Sequence, residues 1–91
     1  MYKVAFERDA EKEFLKLETK IQKLIALKII DLQNGNFSND KHLQGKHKGK
    51  FRKRAGNYRI IYLKENEYLV ITVVRVAHRK EVHNLFGYYR Q

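Results

Sequence analysis

The 91 residues include no cysteine and no proline. Without cysteine there is no disulfide framework, no thiolate nucleophile and no cysteine-based zinc site, which fits a reducing cytoplasm. No apolar run approaches the roughly 20 residues of a membrane span, and the Met1-Tyr2-Lys3-Val4 start lacks a secretory hydrophobic region. The chain therefore reads as a soluble, unexported protein with no membrane partner. No repeat or low-complexity tract divides it, and its length predicts a single small domain over residues 1–91. Apolar residues make up 43% of the chain, enough for a packed core although 33% of residues are charged.

Acidic side chains are missing where basic ones concentrate. Residues 1–40 balance seven Lys/Arg against seven Asp/Glu, whereas residues 41–91 hold 13 basic and three acidic side chains, so the net charge of +10 belongs to the second half. No acid occurs between Lys41 and Lys64. Such a one-sided field concentrates polyanions and predicts salt-sensitive binding to nucleic acid or an acidic partner.

The periodicity predicts an α+β fold. Tyr2–Phe6 alternates as a short strand. Ala10, Phe14 and Leu17 mark one helical face over about Arg8–Leu17, and Ile21, Leu24, Ile25, Ile29 and Leu32 mark a second up to Gln33. Thr19 and Gln22 have capping-box spacing, and Asn34-Gly35 ends the second helix. Leu27 and Ile30 extend its stripe as a landing surface for a partner helix. Asn36–Lys50 reads as a long basic connection. Three β runs follow, about Lys50–Ala55, Tyr58–Leu63 and Tyr68–Ala77, and Lys80–Phe86 suits a short final helix. The order β-α-α-β-β-β predicts an antiparallel sheet of about four strands with the helical hairpin on one face and the other face open and basic.

The Gly56-Asn57 turn sets a register in which Arg54 lies opposite Arg59 and Arg52 opposite Ile61, all on one face. Like charges so placed repel, and an anion between them would relieve it. The usual anion and metal motifs are lacking. His42, His47, His78 and His83 have no HExxH spacing and no acidic company, so no metal is expected. There is no glycine-rich phosphate loop, no helix-turn-helix and no catalytic carboxylate pair. Cations and imidazoles remain. RNA is cut without metal when its 2′-hydroxyl attacks phosphorus, provided that cations stabilise the phosphate oxygens and an acid protonates the leaving 5′-oxygen. Arg52, Arg54, Arg59 and Arg79 suit the first task, and His83, four residues after Arg79, suits the second. His78, at the end of a strand, and Arg75 read as structural.

The stretch from His42 to Tyr62, with its R-x-R-x-G-x-YR-x-x-Y core, and the later Arg75-Val76-Ala77-His78-Arg79 resemble the RelE-type toxins of the RelE/ParE toxin–antitoxin superfamily over nearly the whole chain. The resemblance implies a microbial RNase fold and a ribosome-dependent mRNA interferase without cofactor. Such an enzyme cleaves messenger RNA in the ribosomal A site to a cyclic 2′,3′-phosphate and is neutralised by a cognate antitoxin. It implies that Arg52, Arg54, Arg59 and Arg79 are catalytic and that His83 is the general acid, as the terminal histidine of related YafQ and YoeB toxins is. His42 resembles a YafQ-type histidine and is the candidate base. Lys46, Lys48, Lys50, Lys53, Lys80 and Phe86 are the expected RNA contacts, although Lys53 stands where the family usually has an apolar residue and faces the helices. Two other readings use the same scaffold: a ParE-like inhibitor of DNA gyrase, and a non-catalytic module that binds RNA or antitoxin.

Overall fold

A computed structural model of the chain describes residues 1–43 and the backbone of 49–86, with side chains as far as Val82. Strand β1 (Lys3–Phe6) leads into α1 (Arg8–Leu15) and α2 (Thr19–Gln33). Then come β2 (Lys41–His42), β3 (Lys50–Ala55), β4 (Tyr58–Glu65), β5 (Val70–His78) and α3 (Arg79–Phe86). The fold is α+β as expected, but the sheet has five strands in the order β1-β5-β4-β3-β2, and β1 runs parallel to β5. The helical hairpin separates β1 from the other strands, so no tight turn imposes an antiparallel direction on it. The added strand, β2, lies in the stretch expected to be a loop and is too short for alternation to show.

Helix ends follow local chemistry. At the end of α2, Gly35 takes φ 76°. Its N–H donates to the Leu32 carbonyl at 3.1 Å and that of Asn36 to the Asp31 carbonyl at 2.8 Å, the two bonds of a Schellman motif. The capping box expected at Thr19 does not form: Glu18 is the N-cap, and Gln22 Nε2 donates instead to the Phe14 carbonyl at 3.0 Å, stitching α2 to α1. In the β3–β4 turn only Gly56 has a positive φ, 61°. A Cβ there would meet Leu24 Cδ2 at 3.0 Å, so backbone and packing both select glycine.

The helices cover one face of the sheet, where Ala10, Ile25 and Leu32 join Ala55, Ile60, Tyr62, Ile71, Val73 and Val76 in the main core. The opposite face is not wholly open. Leu43, Ile61, Ala77 and Val82 form a second buried cluster there, because Ile61 and Ala77 are apolar and α3 supplies cover through Val82. Beyond Val73, β5 has no strand partner on its β1 side among the described residues, and α1 lies along it there. There Glu13 accepts the Val76 N–H at 2.9 Å, and Arg75 Nη2 donates to the same carboxylate at 2.6 Å. Hydrogen bonding to Glu13 holds the Arg75 guanidinium above its already high pKa. The carboxylate thus closes an edge that would otherwise expose a ladder amide. Among the described residues, no helix is long and apolar enough to cross a membrane.

Candidate functional site

The β3–β4 ladder has the register that the sequence predicts: Arg54 faces Arg59 and Arg52 faces Ile61. Side-chain alternation places Lys50, Arg52, Arg54 and Arg59 on the face away from the helices. Arg54 is exposed, whereas Arg52 and Lys50 are half-buried. Directly opposed Cβ atoms lie about 5 Å apart, so the Arg54 and Arg59 side chains start side by side.

Arg59 does not point outward. It is only 7% exposed, and its Nη1 donates to the carbonyls of Gly56 and Tyr58, each at 2.9 Å. Turn carbonyls thus hold one of the two opposed guanidinium groups.

Arg79 is brought to the same end of the hairpin by its backbone, whose N–H donates to the Asn57 carbonyl at 2.7 Å. Its side chain and that of Lys80 are exposed. His78 is structural, as its position at the strand end suggests. Its Nδ1 accepts the Lys80 N–H at 3.2 Å, and its own N–H donates to Glu81 Oε1 at 3.2 Å. His78 thus caps the N2 amide while Glu81, at N3, accepts the cap residue's own N–H, and α3 starts directly where β5 ends. His83 follows Arg79 by four residues in α3, so the two stem from one helical face. The side chains of His83 and Phe86, and all of Lys46 and Lys48, lie outside the described residues.

Two expected site residues are elsewhere. His42 pairs with Phe51 across β2 and β3, and its ring lies 4.2 Å from that of Phe51 on the helix-covered face, so it does not join the arginines as a base. Lys53, expected to touch RNA, is 5% exposed. Its Nζ donates to the Asn36 carbonyl at 3.0 Å and pairs with Asp40 Oδ1 at 3.2 Å, while the Tyr62 hydroxyl donates to Asp40 Oδ2 at 2.5 Å. Burial, and then the Asp40 carboxylate, push the Tyr62 hydroxyl far above its ordinary pKa, so it stays protonated. A cation on the core side of a strand requires a buried carboxylate; the sequence signalled that need at Lys53 but not that Asp40 would meet it.

A notch of about 520 Å3 opens beside the arginines, between the end of α2, the connection to β2, and β3. Lys28, Asp31, Asn39, Lys41, Arg52 and Arg54 are among the residues lining it. Nothing in the helical period of α2 marks Lys28 and Asp31 as lining a notch.

The family model of the ParE toxin of type II toxin–antitoxin system, parDE, matches residues 4–83. A protein of Escherichia coli described as RelE-like toxin is 36% identical over 87 residues, covering 92% of each chain. The toxin–antitoxin complex RelBE2 from Mycobacterium tuberculosis matches with a TM-score of 0.65 at 28% identity, covering 86% of this chain and 98% of that one. YafQ from Escherichia coli matches with a TM-score of 0.73, covering 96% of this chain and 100% of that one, and at 18% identity that likeness speaks for the fold alone.

Proposed function

The chain belongs to the RelE/ParE superfamily as a RelE-type toxin of type II toxin–antitoxin systems, and from that premise we propose that it is a ribosome-dependent endoribonuclease cutting messenger RNA in the A site. The observation that carries the reading is the convergence at one end of the β3–β4 hairpin. Arg54 and Arg59 face each other there, and the Arg79 backbone is bonded to Asn57 in the turn between them.

In this reading Arg52, Arg54 and Arg79 bind the non-bridging oxygens of the scissile phosphate, and Arg59, fixed by the turn carbonyls, contributes its charge from beneath. The 2′-hydroxyl gives up its proton to water as its oxygen attacks phosphorus, and the bond to the 5′-oxygen breaks. His83 gives its proton to that oxygen, and a cyclic 2′,3′-phosphate remains. Lys46, Lys48, Lys50, Lys80 and Phe86 hold the surrounding RNA. A cognate antitoxin fits the groove of about 380 Å3 between the helices, lined by Phe14, Leu15, Ile29 and Ile30, beside which Leu27 is 63% exposed. The test is cleavage of messenger RNA on programmed ribosomes with and without EDTA, followed by analysis of the 3′ end. Cleavage to a cyclic phosphate that Arg79→Ala and His83→Gln each abolish, with the fold intact, is the expected result; full activity in the double variant would refute both roles.

A second reading, inhibition of DNA gyrase without RNA cleavage, draws on the match to the ParE toxin model. Induction followed by a DNA-damage response, with messenger RNA intact on primer extension, would decide for it.

A further inference from the structure

We propose that the notch beside β3 is a nucleotide subsite that takes one phosphate and its base from single-stranded RNA next to the cleaved bond. The proposal rests on the ribonuclease reading above and extends it to a surface that reading does not use.

The backbone makes the first part of the case. Strand β2 pairs with Phe51 and Arg52 of β3, and among the described residues no strand pairs with β3 beyond Arg52 on that side. Leu43 N–H donates to the Lys50 carbonyl at 2.9 Å, which shows that even-numbered residues of β3 turn their amide groups to this edge. The N–H and C=O of Arg54 therefore face the notch, next to its own exposed guanidinium.

Charge makes the second part. Lys53 and Asp40 neutralise each other in their buried pair. The remaining charged groups of the lining are Lys28, Lys41, Arg52 and Arg54 against Asp31 alone. Cations in excess, with one carboxylate and the amides of Asn36 and Asn39, suit a phosphate joined to a hydrogen-bonding base. The volume of about 520 Å3 lies within the range of small-ligand pockets and fits one nucleotide unit. Arg52 and Arg54 belong both to this lining and to the proposed cleavage face, so a strand leaving that face over the β3 edge enters the notch directly.

The probe is a short fluorescein-labelled 2′-O-methyl RNA, which binds but lacks the attacking hydroxyl, titrated into the full chain by anisotropy at several salt concentrations. Lys28→Ala should weaken binding about fivefold and lower the slope of log K against log salt by about 0.7, the value for one lost phosphate contact on a single strand. Asp31→Asn should tighten binding about threefold, a gain that misfolding cannot mimic. Lys20→Ala, at the other end of α2, should change neither. Wild-type affinity and slope in both notch variants would overturn the proposal. So would dependence on Lys28 for an acidic peptide but not for the RNA. Repeating the titration on vacant and programmed ribosomes separates the sources: a loss with Lys28→Ala confined to programmed ribosomes assigns messenger RNA, and an equal loss on both assigns ribosomal RNA. Opposite shifts in the two variants with no RNA cleavage would sink the ribonuclease reading and leave the subsite standing. Cleavage with both variants silent would do the reverse.

Discussion

Replacing Lys53 by methionine keeps the volume of the side chain and removes its charge, which isolates the buried ion pair. The Lys53 and Asp40 side chains are 6% and 4% exposed, so solvent screens them little. With Lys53 gone, Asp40 keeps the Tyr62 hydroxyl at 2.5 Å but loses the Lys53 cation, and the Asn36 carbonyl loses a donor. Removing one member of a buried pair costs about 3–5 kcal/mol; with the Tyr62 bond retained, the lower end, about 3 kcal/mol, is expected. For a domain of this size that is a fall in Tm of roughly 12–24 °C. The double variant Lys53→Met, Asp40→Asn removes both charges and leaves an amide oxygen for Tyr62. It should lie within about 1 kcal/mol of wild type, because a buried pair replaced by uncharged groups of similar volume is near neutral. Urea unfolding followed by circular dichroism gives the stabilities of wild type, Lys53→Met, Asp40→Asn and the double variant, with the slopes compared to confirm a common transition. A single variant as stable as wild type, or a double variant as unstable as the sum of the two singles, would show that the pair contributes nothing as a pair.

Alkali provides a test of the same cluster. Because Tyr62 is raised above its ordinary value by burial and by Asp40, its contribution is fully present below about pH 10 and is lost as pH rises further, by up to about 1.4 kcal/mol per pH unit. Urea midpoints measured from pH 8 to 11 should fall steeply above 10 in wild type and less steeply in Tyr62→Phe; equal slopes would contradict the assignment. At the β5 edge, Glu13→Ala breaks the bonds to Arg75 and to the Val76 N–H and should destabilise by about 2 kcal/mol, with amide exchange at Val76 accelerating more than at Ile71. Gly56→Ala meets both a φ of 61° and Leu24 Cδ2 at 3.0 Å from the new Cβ, and a loss of about 1–2 kcal/mol is expected by urea unfolding. No loss there would mean that the turn relaxes to another type.

The register of Arg52, Arg54 and Arg59 was legible because a two-residue turn and strict alternation leave one solution once Gly56-Asn57 is recognised. What alternation fixes is the face from which a side chain starts, and it is silent on where a long side chain ends. Arg59 starts beside Arg54 and ends on the turn carbonyls; Lys53 starts toward the helices and ends on Asp40, 13 residues away. The partner of a buried cation is set by tertiary approach, which no local period encodes. The same holds for β2, whose two residues directly follow Asp40, which Lys53 and Tyr62 anchor. This makes the Lys53 departure from the family's apolar pattern intelligible. An apolar residue there would leave Asp40 with one tyrosine and the start of β2 unmoored, so the cation and its carboxylate stand or fall together, and with them the wall of the notch that lies against β3.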